Sequence, residues 1–110
     1  MTEKERKYLS DVLVSIDHIL SFTNDLVDFE QYKENVLIKS AVERHLSIIG
    51  EAINKFLKES LENELVYSRQ IVSLRNRLVH SYDNIDDRII WTILSLYIIP
   101  LKEEVERKIR

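Results

Sequence analysis

The sequence predicts an all-α fold, an antiparallel up-down bundle of four to five helices, and three observations carry that expectation. A single Gly and a single Pro in 110 residues leave little material for tight hairpins or proline-led linkers, so the chain is built of long elements. Apolar residues make up 45% and charged residues 32%, the balance of amphipathic helices around a core rather than of a disordered chain. Along most of the length the apolar residues recur at three- and four-residue intervals, the period of one helix face.

The first helix is expected over Glu3 to Thr23, where Leu9, Val12, Ile16, Ile19 and Leu20 form one stripe. Asn24 and Asp28 mark a turn, and a short piece follows around Phe29 to Tyr32. The second long helix runs from about Glu34 to Lys58, with Ile38, Val42, His45, Leu46, Ile49, Ile53 and Phe56 facing inward. Gly50 lies in its middle, where glycine costs about 1 kcal/mol relative to alanine, so its use there is close approach of another helix. The third helix, from Glu62 to His80, turns Leu65, Val72, Leu74 and Leu78 or Val79 inward, and Ser, Asp and Asn gather at its end over 81–84. The fourth starts after Asn84 or Asp86 as N-cap and carries Ile90, Ile93, Leu94, Tyr97, Leu101 and Val105. Pro100 interrupts it, which predicts a kink near Tyr97 to Leu101 or a break into two pieces.

No repeat or composition break divides the chain, so residues 1–110 are expected to form a single helical domain. Val14, Phe22, Ile48, Trp91 and Ile98 exceed what one stripe per helix requires. Either a homodimer buries them or they form a partly exposed patch. The absence of Cys excludes disulfides, thiolate metal sites and cysteine nucleophiles, and fits a reducing cytoplasm. No apolar run approaches the roughly 20 residues that span a bilayer, and the opening MTEKERKYLSD lacks the apolar region of a secretion signal. A cytoplasmic protein without a membrane anchor is the expectation.

The net charge of −3 provides no general attraction to nucleic acid, but its distribution is uneven. Residues 66–82, VYSRQIVSLRNRLVHSY, hold three Arg and one His and no acidic residue. A helix face turned to solvent would explain that, yet the same window contains an unusual spacing. At about 100° per residue, Arg75 and His80 point about 140° apart on one helix, whereas Asn76 and His80 share a face.

Phosphate loops, HExxH, calcium loops and nucleophile elbows are missing from the sequence. His18, His45 and His80 are too scattered to make a metal site by local spacing, and His18 and His45 read as structural or solvent-facing. His80 has different neighbours. Its imidazole exchanges protons near neutral pH, Arg75 and Arg77 can hold phosphate oxygens in a fork, and Asn76 can hold a ring nitrogen or a phosphate oxygen. These groups suit cleavage of a phosphodiester without a metal or cofactor, which needs a base for the 2′-OH, an acid for the leaving 5′-oxygen and cations for the charge on phosphorus. One histidine per chain is one too few. A two-fold axis beside the third helix would bring two His80 and two Arg75 into one cleft and resolve the spacing.

At these residues the sequence resembles the HEPN superfamily, and Arg75-Asn76-Arg77-Leu78-Val79-His80 followed by Ser81-Tyr82 resembles the R-x4-H-x-Y motif of its HepT toxins. Ile48-Ile49-Gly50-Glu51-Ala52 is similar to that family's IIGEA segment, and Ile99-Pro100-Leu101-Lys102 to its closing proline segment, so the likeness covers nearly the whole chain. The stretch KESLENELVYSRQ departs, lacking the Pro and Trp that many relatives carry there. The resemblance implies an all-helical homodimer acting as a metal-independent ribonuclease on single-stranded RNA or tRNA ends, with Arg75, Asn76 and His80 of both copies lining the cleft and Arg77 as an auxiliary phosphate contact. It also implies a minimal nucleotidyltransferase (MNT) antitoxin as partner, which transfers AMP to Tyr82. Without the resemblance, Tyr82 reads as an aromatic covering a helix end. Gly50 and Glu51 are assigned to packing and helix-end hydrogen bonding.

Two other functions fit the same residues. In one, the dimer groove binds a nucleotide or docks a nucleotidyltransferase without turnover. In the other, the protein is a structural helical dimer, and replacing Arg75 and His80 changes nothing.

Overall fold

The computed structural model describes residues 1–60, 64–80 and 85–110, with the side chains of residues 79 and 80 excepted. Six helices lie within these residues: α1 (Glu3–Thr23), α2 (Phe29–Glu34), α3 (Val36–Glu59), α4 (Arg69–His80), α5 (Asp87–Leu96) and α6 (Ile98–Ile109). The all-α class is as expected, with one helix more than the upper count.

Local chemistry sets most of the helix starts. Thr2 Oγ1 accepts the Glu5 N–H at 3.0 Å, Asp28 accepts that of Gln31 at 3.0 Å and Asn35 that of Ile38 at 2.9 Å. Asp86, one of the two expected caps, accepts the Arg88 N–H at 2.9 Å and starts α5. Each such oxygen satisfies an N–H for which the first helical turn has no partner.

Ion pairs fix the directions. Lys4 meets Glu59 at 2.9 Å while His18 stacks on His45, so α1 and α3 run antiparallel. Arg6 donates to the Ile109 carbonyl at 2.9 Å and Lys102 meets Asp17 at 3.1 Å, which makes α6 antiparallel to α1 as well. The centre of the bundle is α3, with α1 and α4 packed against it, and α2 touches both α3 and α5. One core cluster draws buried residues from all six helices, Leu9, Ile16, Tyr32, Phe56, Ile71 and Val105 among them.

Two expectations need correction, and one alternative is settled. The third helix begins at Arg69 rather than Glu62. The Glu104 carboxylate of α6, almost fully buried, accepts the N–H groups of Val66 at 2.7 Å and Tyr67 at 3.1 Å, and the Ser68 hydroxyl donates to the Leu65 carbonyl at 2.7 Å. These bonds hold residues 65–68 as a turn, satisfying the backbone without a helix. Of the kink or break expected in the fourth helix, the break is found: it divides at Tyr97 into α5 and α6, and Pro100 falls in the first turn of α6, where its missing N–H would have had no intrahelical acceptor. Ile98, expected among the surplus apolar residues, is fully buried. Of the others, Trp91 packs on Tyr32 with ring centroids 5.8 Å apart, while Val14 and Phe22 are exposed. No helix among the described residues is long and apolar enough to cross a membrane.

Candidate active site

The α4 helix has a strict division of faces. Ile71 and Leu74 are buried against the core, Arg75 and Leu78 are half-buried, and Arg69, Ser73, Asn76 and Arg77 are exposed. The α4 helix crosses α3 at Gly50, where a Cβ would lie 2.4 Å from Arg75 Cβ, 2.8 Å from its Cγ and 3.4 Å from the Ile71 carbonyl oxygen. Non-bonded carbons rest about 3.5–4.0 Å apart, so only glycine admits the stem of Arg75 at this depth. Gly50, expected to permit a close helix crossing, does so at Arg75 itself.

With its stem on Gly50, Arg75 carries its guanidinium to the next residue and donates from Nη1 to Asn76 Oδ1 at 3.2 Å. The structure therefore brings Arg75 and Asn76 together. It does not bring Arg77 to them. Two residues on, about 200° around the helix, Arg77 lines an open cavity of about 510 Å³ between α4 and α5. Arg75 and Arg77 are thus two cations on different sides of α4. Neither they nor Arg69 form an ion pair among the described residues.

His80 is the last residue of α4. Its side chain and the whole of Tyr82 lie outside the described residues, so the expected meeting of His80 with a second Arg75 rests on the motif.

One other sequence assignment changes, and the structural reading of His18 and His45 gains its partners. Glu51 sits in the middle of α3 and pairs with Lys55 at 3.3 Å, away from any helix end. His18 and His45, distant in sequence, stack at 5.0 Å beside Phe22, and His45 Nδ1 lies 3.2 Å from Ser15 Oγ. Burial lowers the His45 pKa, helped by the charges of His18 and Arg44. This cluster lies on the α1–α3 contact, apart from Arg75.

The sequence did not reveal the support of Arg75 by Gly50, because the two are 25 residues apart in the chain. The face shared by Arg69, Ser73 and Arg77, at four-residue intervals, was readable and was missed.

Residues 12–108 match the family described as "Ribonuclease HepT-like". A protein of Methanocaldococcus jannaschii named "Putative RNase MJ1380" is 37% identical over 110 residues, covering 96% of this chain and 98% of its own. "Probable ribonuclease HepT" of Thermococcus cleftensis is 30% identical over 109 residues, covering 97% of both. No solved structure matches. With nearly its whole length matched, and with the glycine of the IIGEA-like segment seated beneath the arginine of the R-x4-H-x-Y-like segment, the chain belongs to the HepT-like ribonuclease family of HEPN proteins.

Proposed function

We propose that this protein is a metal-independent endoribonuclease, the toxin half of a toxin–antitoxin pair, acting as a homodimer. Two copies join beside α4 so that Arg75, Asn76 and His80 of both line one cleft. One His80 takes the proton of a ribose 2′-OH, whose oxygen attacks the adjacent phosphorus. The P–O5′ bond breaks, leaving a 2′,3′-cyclic phosphate, and the other His80 protonates the departing 5′-oxygen. Arg75 and the Asn76 amide donate to the phosphoryl oxygens as negative charge gathers there, a contribution that fixed donors make with little reorganisation. The observation that carries this reading is the family match over 12–108 together with the seated Arg75–Asn76 pair.

Silencing is assigned to Tyr82. A nucleotidyltransferase of the MNT type directs its phenolic oxygen onto the α-phosphorus of ATP, forming a Tyr–AMP phosphodiester and releasing pyrophosphate. A bulky anion beside the cleft then repels RNA phosphates and blocks access.

The test is His80→Ala. The variant should keep its helical circular dichroism and its oligomeric state while losing cleavage of single-stranded RNA in EDTA-containing buffer. Wild-type cleavage that vanishes in EDTA removes metal independence, and undiminished cleavage by the variant removes the role of His80. Wild-type protein that binds RNA or nucleotide without cutting points instead to a non-catalytic docking module. For Tyr82, mass spectrometry after incubation with the antitoxin and ATP should show one AMP on that residue.

A further inference from the structure

The cavity between α4 and α5 lies outside the Arg75–Asn76 pair, and its chemistry is specific. Arg69, Ser73 and Arg77 border it along α4, with Thr92 and Tyr97 opposite and Leu74 and Ile93 as its floor. None of the described residues that line it is acidic. Its volume of about 510 Å³ lies within the roughly 300–1,000 Å³ of cavities that hold small ligands.

Arg69 and Arg77 stand two turns apart on this face, about 12 Å along the axis, and neither has an acidic partner among the described residues. An apolar floor, a half-exposed tyrosine ring and hydroxyl groups between two cations that no described acidic residue pairs suit a flat heterocycle whose ends are anionic. That is a nucleotide within a single strand, whose unstacked base can rest on an aromatic face while cations hold the phosphates on either side. The place of His80 continues the line of Ser73 and Arg77 by helical register, at seven and three residues on.

The geometry points to a base-binding subsite in the α4–α5 cavity that holds one unpaired nucleotide of the RNA strand next to the nucleotide being cut. This rests on the ribonuclease reading above. The base lies on Leu74, Ile93 and the Tyr97 ring, and Arg69 and Arg77 hold its two flanking phosphates. The enzyme would thus select single-stranded over duplex RNA, because a paired base cannot enter.

The experiment uses a labelled short single-stranded oligoribonucleotide, with direct binding and cleavage measured separately. Ser73→Trp fills the cavity from an exposed position. It should weaken binding and raise KM at least about tenfold, the scale of one lost base stack, with kcat within about twofold. Arg69→Gln should lower the slope of log affinity against log salt by about 0.7, one phosphate contact on a single strand. Scanning one abasic nucleotide along the strand should find a single sensitive position in the wild type and none in Ser73→Trp. Binding by both variants equal to wild type overturns the subsite. Loss of the dimer by either variant in light scattering also overturns it, by making the cavity a contact between copies. Should Ser73→Trp fail to fold, the salt slope of Arg69→Gln decides. Wild-type protein that binds but never cuts, with the binding effects intact, overturns the nuclease reading and supports the subsite.

Discussion

Replacing Gly50 with Ala adds one methyl group to the middle of α3, and its two effects can be worked separately. In an isolated helix the change is favourable by about 1 kcal/mol. In this bundle the new carbon would lie 2.4 Å from Arg75 Cβ and 2.8 Å from Cγ, against about 3.5–4.0 Å for resting carbons. The Cβ of Arg75 cannot rotate away, so α4 must retreat by roughly 1 Å at the crossing, an overpacking penalty of about 1–3 kcal/mol. The net loss of stability is therefore about 0–2 kcal/mol, which leaves a domain of ordinary stability folded. Activity should suffer more. A displacement of about 1 Å in a group that positions the reacting phosphate costs on the order of 100-fold in rate, equivalent to about 2.7 kcal/mol. Denaturant unfolding and steady-state cleavage of one oligoribonucleotide, measured on the same preparation, separate the two. A Gly50→Ala protein with wild-type kcat would refute the reasoning that the glycine seats Arg75, and so would a kcat loss accounted for by the unfolded fraction alone.

Other regions give independent tests. The Tyr32 hydroxyl is buried without a hydrogen-bond partner among the described residues, so Tyr32→Phe should raise stability by about 1 kcal/mol; a lower denaturation midpoint would reveal a partner. Glu104→Gln leaves one of the Val66 and Tyr67 N–H groups facing an amide N–H, and should cost about 1–3 kcal/mol in chemical denaturation, with a value near zero showing that the turn holds itself. Because burial, His18 and Arg44 lower the His45 pKa, the folded chain binds that proton less tightly than the unfolded one, and stability should fall as pH drops from about 7.5 to 5.5. His45→Asn should flatten that limb. Glu43, raised by burial and by Asp87, acts in the opposite direction at lower pH.

What the sequence made legible was local. The α1 stripe, the Asp86 cap and the break around Pro100 depend on periodicity, capping oxygens and a missing N–H, all of which can be read within one turn of the residue concerned. Gly50 announced a close crossing because a mid-helix glycine is otherwise a cost, but nothing local named Arg75 as the residue above it. The start of α4 was misplaced because the acceptor for its preceding turn is Glu104, about 38 residues away in the chain. Arg75 and Arg77 lie about 200° apart around the helix, and the fold gives one arginine to α3 and the other to the α4–α5 cavity.

The pooling of Arg75 and His80 from two copies is tested most directly by measuring cleavage rate per chain across a dilution series while light scattering reports mass. The account predicts that specific activity falls in step with the dimer fraction and disappears with it. Constant specific activity in a solution of single chains would contradict it.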